Sequence, residues 1–494
     1  MLFNSLAFAA FFPVVFILYW LCPPKRRWIA LLAFSYWFCA NLDLRYAVIL
    51  LATTLLSYGV GRLIDGAGTA RGRKTAAAAG IVLLAAELAF FKYTGFILEN
   101  LSAAASRFSW SVHVPTLQIL LPVGISFYIF QTIGYLADVY RGKIKAERHF
   151  GYYALFVSFF PSLMSGPIGR AGELLPQYKK PRSFDAAQAS YGIKLMAWGY
   201  FKKIVIADTL AVTVNQVYDY LESYVGLVLL VAAFLYTIEI YCDFSGYSDI
   251  ATGMAKLLGI ELPRNFDSPY FARSIREFWS RWHISLSSWL RDYIYIPFGG
   301  SRCSKARHIV NLMITFLVSG LWHGANWTFL VWGGLHGLYQ TLEILPRPSY
   351  RKRQESAASA GRIPEKKEPP ALLRALQTVL TFVAVTFAWI FFRADTMADA
   401  WRVISYSTFG IEDFITYIKT CVISLDMAYL EMVWMMIPVV LLAAADYLSL
   451  KKDLILTTSG WKPWVKYPLY FLFVAGILIF AEKGVATEFI YSAF

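Results

Sequence analysis

The sequence predicts an all-α, polytopic membrane protein, a multi-helix bundle that includes re-entrant and interfacial helices. Two observations carry this. Hydrophobic residues make up 58% of the 494-residue chain and charged residues only 16%, against about 25% charged in a soluble globule that must solvate its surface. The apolar residues are also gathered into continuous runs, whereas a membrane β-barrel requires strict alternation.

The runs follow one another along the chain: Leu2–Trp20, Trp28–Asn41, Tyr46–Ile64, Ala76–Leu98, Leu117–Val139, Val225–Tyr241, Leu372–Phe392, Val433–Ala445 and Tyr467–Phe480. A helix needs about 20 apolar residues to cross the hydrocarbon core. The longer runs meet that length, and the shorter ones suit tilted, re-entrant or protein-buried helices. Leu2–Trp20 lacks a basic leader and a small-residue cleavage site, so it reads as a retained first helix rather than a signal peptide. The five cysteines are scattered, with no CxxC pair or metal-ligand spacing, which argues against a disulfide framework and against a metal site.

The net charge of +14 sits in loops. Lys25–Arg27 follow the first run; Arg71, Arg73 and Lys74 the third; Arg141, Lys143, Lys145 and Arg148 the fifth. Arg351–Arg353, Lys366, Lys367, Lys451 and Lys452 come later. Short basic loops resist translocation and stay cytoplasmic, which predicts a plasma or inner membrane protein with both termini outside the cytoplasm. Binding of anionic headgroups by the same loops gives the same orientation. Charge divided among many membrane-flanking loops builds no groove for nucleic acid.

The organisation expected is an N-terminal and central membrane body over 1–345, with a catalytic core over about 142–345. A basic, low-complexity cytoplasmic loop over 346–370 and C-terminal membrane helices over 371–494 complete it. Between Gly142 and Pro346 the apolar runs are broken by Pro, Gly, Arg and aromatic residues. Irregular backbone at membrane depth is tolerated only where protein or a water-filled cavity satisfies it, so the functional centre is expected there.

Two segments carry the chemistry. Ser274–Gly300 (SIREFWSRWHISLSSWLRDYIYIPFGG), taken as a helix, brings Trp279, Trp282 and Trp289 near one face with His283 adjoining. Arg276, Arg281 and Arg291 each cost about 2.5–3.5 kcal/mol at mid-bilayer, so the segment belongs in the interface. It serves there either as an anchor or as a platform over an anionic cytoplasmic acyl donor. In Asn311–Gln340, His323 lies between apolar runs beside Trp322 and Gly324. An ionisable residue at membrane depth is a functional candidate, and imidazole takes and returns a proton near neutral pH. The alternative for such a residue is a histidine hydrogen-bonded between packed helices, the role assigned to His336. His113, His149 and His308 read as structural or solvated. In Cys242–Tyr270, which looks polar and turn-rich, Asp243 and Asp249 are placed to orient a histidine or cap a helix, and capping is favoured for Asp249. HExxH, Walker and GxSxG motifs are missing, which removes support for a metalloprotease, an ATP-driven pump and a serine hydrolase.

DFSGYSDIA (Asp243–Ala251), LPRNFDSPY (Leu262–Tyr270), Arg276–Gly300 and SGLWHGANWTFLVWGGLHG (Ser319–Gly337) together resemble the membrane-bound O-acyltransferase family. Within it they are similar to the bacterial branch acting in alginate O-acetylation and teichoic-acid D-alanylation. The opening MLFNSLAFAAFFPVVFILYW and FFPSLMSGPIGR (Phe159–Arg170) share the likeness to the alginate type. The resemblance implies a bundle around a central funnel, pinched near a catalytic histidine. It matches His323 in LWHGA to that histidine and His283 in RWHISLS to a second one. Trp322, Trp282, Arg276, Arg281, Asn265 and Asp243 become substrate-binding candidates. The donor implied is an acyl thioester such as acetyl-CoA, with no bound cofactor, and the acceptor is a hydroxyl of an exported polysaccharide. The partner implied is an extracytoplasmic SGNH-hydrolase-like acetyltransferase. D-alanyl transfer to teichoic acid is the alternative within the enzyme class. A lipid-linked sugar flippase or transporter is the alternative outside it.

Overall fold

The structure, a computed structural model, describes residues 3–108, 120–344, 369–425, 427–483 and 489–490. Every described regular element is helical. His113 and all but the last two residues of the basic loop over 346–370 lie outside the described residues.

Each predicted apolar run contains a helix; in Leu117–Val139 it starts only at Ile125, after Gly124 in left-handed backbone, and Leu2 and residues 117–119 lie outside the described residues. The first five helices are α1 (Leu6–Leu21), α2 (Arg27–Leu42), α3 (Leu44–Gly66), α4 (Ala70–Arg107) and α5 (Ile125–Tyr140). The long α6 (Leu227–Leu257) opens the central region, followed by the short α7 (Ile275–Arg281) and α8 (Ile284–Leu290). Next come α9 (Lys305–His323), α10 (Trp327–Ile344) and α11 (Ala371–Arg393), and the chain closes with α12 (Tyr429–Ser449) and α13 (Pro463–Lys483). Side-chain caps fix several starts: Asp43 accepts from the Arg45 amide at α3, and Thr69 from the Gly72 amide at α4. Among the described residues, six helices, α3, α4, α6, α11, α12 and α13, contain stretches long and apolar enough to cross a bilayer. At about 1.5 Å per residue, the 38-residue α4 outruns the hydrocarbon core, and its first turns carry Arg71, Arg73 and Lys74.

Two compact units divide the chain. One comprises residues 1–216, 238–265 and 427–494, and the other 217–237 and 266–426. The run Val225–Tyr241, which passes from the second unit into the first at Ile238, does not end where its apolar character ends. The segment expected to be turn-rich after Cys242 continues as α6 to Leu257. Its glycines are sites of close approach. A Cβ at Gly246 would lie 2.8 Å from the Gly199 carbonyl, and one at Gly253 2.5 Å from that of Gly192. Two helices thus touch backbone to backbone, as small residues permit in membrane bundles. The polar residues of the segment are paired instead of turn-forming. A π-helical stretch, Phe201–Ala207, carries adjacent lysines. Lys202 meets Asp249 at 2.7 Å and Ser245 Oγ at 2.9 Å; Lys203 meets Asp243 at 2.6 Å and Asp208 at 2.8 Å. Asp249 therefore sits inside a helix as an ion-pair partner, not at a helix start as a cap.

In the second unit α9 and α10 form a tight antiparallel pair. A Cβ at Gly320 would collide with the Phe329 carbonyl, and one at Gly333 with the Phe316 carbonyl. Both contacts are to backbone, which cannot swing away as a side-chain tip can. Gly333→Val is expected to separate the pair, lowering the thermal unfolding midpoint in detergent and the yield of monodisperse protein. Gly334→Val, whose added Cβ meets only a Leu317 methyl at 4.0 Å, is the matched control and should behave as wild type.

Candidate functional site

Ser274–Gly300 is not the single helix its Trp spacing suggests. The Ser274 hydroxyl accepts from the Glu277 amide to start α7, which ends at Arg281, and α8 starts at Ile284. Between them His283 adopts φ 43°, ψ 54°. Left-handed backbone at a non-glycine residue costs on the order of 1–3 kcal/mol and persists where its surroundings impose it, often at functional sites. Here the break turns the imidazole inward: His283 is fully buried. A Ser287 amide bond to the His283 carbonyl and a Ser287 hydroxyl bond to the Trp282 carbonyl secure the turn.

His323 is the last residue of α9, with Gly324 at the C-cap, and is 1% exposed. It lies in an aromatic box. Trp322, Trp332 and Phe392 stand edge-on, with ring centroids 4.9, 4.9 and 5.2 Å from the imidazole. Trp322 also meets His283 edge-on at 5.8 Å, so one indole bridges the two histidines. A helix C-terminus carries the negative end of the macrodipole, where a transient imidazolium costs least. Trp332 and Trp389 stack at 5.6 Å, and Trp282 meets Trp389 at 5.1 Å. The candidate catalytic residues His323 and His283 and the candidate substrate-binding residues Trp322 and Trp282 thus fall in one aromatic cluster. Trp332, Trp389 and Phe392 were missed by sequence reasoning, because aromatics within apolar runs give no signal that separates packing from site lining.

His336 is hydrogen-bonded between packed helices as expected: the Trp279 indole on α7 donates to its Nδ1 at 3.2 Å. His149 caps a helix by accepting from the Tyr152 amide at 3.3 Å. The arginines are more peripheral. Arg281 is half-buried, pairs with Glu277 at 2.8 Å and donates to the Asp267 carbonyl at 3.2 Å. Arg276 is exposed. With Arg302, Lys305 and Arg307, also exposed, it makes a cationic patch around the start of α9. Partial burial and then the Arg276 guanidinium hold His308 below the ordinary imidazole value, so at pH 7 the charge of the patch is that of its arginines and lysine.

Asn265 and Asp243 belong to the first compact unit. Asn265 donates to Ser248 Oγ at 3.1 Å. The two carboxylate oxygens of Asp243 accept from Lys203 at 2.6 Å and from the Ile490 amide at 2.8 Å. Asp243 thus orients a lysine rather than a histidine, and Lys203 also stands 4.4 Å from the Phe489 ring. No cluster of metal-ligating side chains occurs among the described residues.

A helical membrane protein with a buried histidine pair bridged by one indole is the class that fold and site define. A model of the membrane-bound O-acyltransferase family matches residues 148–359, which takes in both histidines. The probable alginate O-acetylase AlgI of Azotobacter vinelandii is 38% identical over 81% of this chain and 77% of its own. The peptidoglycan O-acetyltransferase of Helicobacter pylori is 33% identical over 82% and 79%. The teichoic acid D-alanyltransferase of Streptococcus thermophilus is 28% identical over 58% and 71%. The chain belongs to the membrane-bound O-acyltransferase family and is an O-acyltransferase.

Proposed function

We propose that the protein takes an acetyl group from a cytoplasmic acyl thioester such as acetyl-CoA. It delivers the group to hydroxyls of an exported cell-surface polysaccharide, directly or through an extracytoplasmic SGNH-hydrolase-like partner. The observation that carries this is His323 within the aromatic box, beside a second buried histidine. His323 acts as general base: it takes the proton of the attacking hydroxyl, whose oxygen bonds to the thioester carbonyl carbon. The tetrahedral intermediate collapses, and the departing thiolate receives that proton. A positioned base contributes about 10²–10⁴ in rate. In this reading the donor stays on the cytoplasmic side, the termini face outward, and helices too short to span line a funnel narrowed at His323. Only the acyl group then crosses, so no charged cofactor is carried through hydrocarbon.

Trp322 holds His323 and His283 in register, and Trp282 closes the aromatic wall behind them. Arg281, braced by Glu277, and Arg276 favour the phosphates of a coenzyme-type donor. Asn265 and Asp243, already engaged within the protein, serve as supports. Acetyl is preferred to D-alanyl because the two acetylating relatives align over more of the chain and at higher identity than the D-alanylating one.

Arg276 gives a direct check on the donor side. Arg276→Ala is expected to raise KM for acetyl-CoA several-fold while leaving kcat nearly unchanged, and added salt should narrow the difference, since exposed charge is screened. Steady-state kinetics at two ionic strengths decide it. An unchanged KM removes the patch from donor binding. The reading as a whole is tested by supplying ¹⁴C-acetyl-CoA to proteoliposomes with polysaccharide inside. Label in alkali-labile ester on the polymer, with the protein alone or with the extracytoplasmic partner added to the lumen, supports it, and label that enters no ester in either arrangement rejects it.

A further inference from the structure

Three buried nitrogen donors in the second unit have no acceptor among the described residues: Trp332 Nε1, Trp389 Nε1 and His336 Nε2. All three residues are fully buried. For His336 the tautomer follows from the Trp279 bond. Its Nδ1 accepts at 3.2 Å, so the proton of the neutral ring is on Nε2, which makes this nitrogen a donor. Buried polar groups in folded proteins are normally paired, and each exception calls for a reason.

The three donors lie within one ring cluster that includes His323. Trp332 is its centre: edge-on to His323 at 4.9 Å, 5.0 Å from His336, and stacked on Trp389 at 5.6 Å with 23° between planes. Donors without acceptors complement an oxygen that gains negative charge. Where charge develops in a water-poor site, a fixed N–H that needs no reorganisation stabilises it most. We infer that the Trp332 indole N–H, supported by Trp389, receives the carbonyl oxygen of the acyl group beside His323 and stabilises the oxyanion. This rests on the acyl-transfer reading and assigns a role that reading leaves open. The hydroxyl oxygen bonds to the carbonyl carbon, its proton passes to His323, and the carbonyl π pair moves onto the oxygen held by Trp332. The pair returns as the C–S bond breaks, and the thiolate leaves with the proton from His323. The products are one ester and one thiol.

The test removes the N–H and keeps the ring. In the full-length protein in nanodiscs, position 332 is replaced by 3-benzothienylalanine, in which sulfur stands for the indole N–H. Acetyl transfer from acetyl-CoA is then measured beside wild type, Trp332→Phe and His323→Ala. A fall in kcat of about 10²-fold, the usual effect of one oxyanion donor, with KM and the unfolding midpoint near wild type, is the expected result. The infrared carbonyl band of [1-¹³C]acetyl-CoA bound to His323→Ala protein should also move back toward its free position when the isostere is added. Wild-type kcat in the isostere overturns the inference and leaves the enzyme reading standing, including the case in which Trp332→Phe fails only because it unfolds. Failure of the wild-type protein to form any ester overturns both.

Discussion

His323→Ala is expected to abolish acyl transfer while the protein still inserts and folds. The expected loss is at least the 10²–10⁴ that a positioned general base supplies, and the alanine cannot be replaced by water with the same geometry in a box of Trp322, Trp332 and Phe392. The structural side of the expectation is equally specific. His323 lies at the end of α9, where truncation breaks no intrahelical backbone bond, and its ring neighbours are aromatic. The loss should therefore appear in kcat with a normal gel-filtration profile. His323→Gln, which keeps a hydrogen-bonding side chain but cannot accept and return a proton, should be as inactive as the alanine variant. Activity in either variant within tenfold of wild type removes His323 as the base.

Lys203→Met is expected to be the most damaging change outside the site. Lys203 is buried and holds two carboxylates, Asp243 at 2.6 Å and Asp208 at 2.8 Å, themselves almost fully buried. Removing one partner from a buried ion group leaves uncompensated charge and costs about 3–5 kcal/mol. Here two acidic groups lose the same cation, so the lower end of that range is the minimum. The Asp243 bond to the Ile490 amide and the Lys203 contact with Phe489 tie the last described residues to this group, so the variant should also expose the C-terminal segment to carboxypeptidase. The double change Lys203→Met with Asp243→Asn should recover part of the lost thermal stability in detergent, because one of the stranded charges is gone. Equal stability of the single variant and wild type would mean that the network contributes nothing.

The helices were legible because lipid imposes a simple rule: backbone polar groups must be satisfied within the segment, so continuous apolar runs become helices. Every run named from the sequence has its helix. What was not legible depended on partners remote in sequence. Cys242–Leu257 looks like a turn because it is rich in Gly, Ser and Asp. Those same residues serve close packing against Gly192 and Gly199 and ion pairing with Lys202 and Lys203, which no local pattern discloses. The break at His283 was hidden for the opposite reason. Trp279, Trp282 and Trp289 have helical spacing, and the extended backbone of Trp282 followed by the positive φ at His283 interrupts it. In the site, His323 and His283 stood out because imidazole is rare in an apolar setting. Trp332 and Trp389 did not, since an indole in an apolar run reads as packing until its N–H is found without an acceptor.

The central claim is that one imidazole passes an acyl group from a thioester on one side to a hydroxyl on the other. The most direct measurement uses proteoliposomes with doubly labelled acetyl-CoA outside, ¹⁴C in the acetyl group and ³H in the coenzyme, and polysaccharide inside. The account predicts ¹⁴C in polymer ester within the lumen, ³H entirely outside as free thiol in equal amount, and neither change with His323→Ala. Tritium inside the vesicles, or ¹⁴C ester formed at the wild-type rate by His323→Ala, would contradict it.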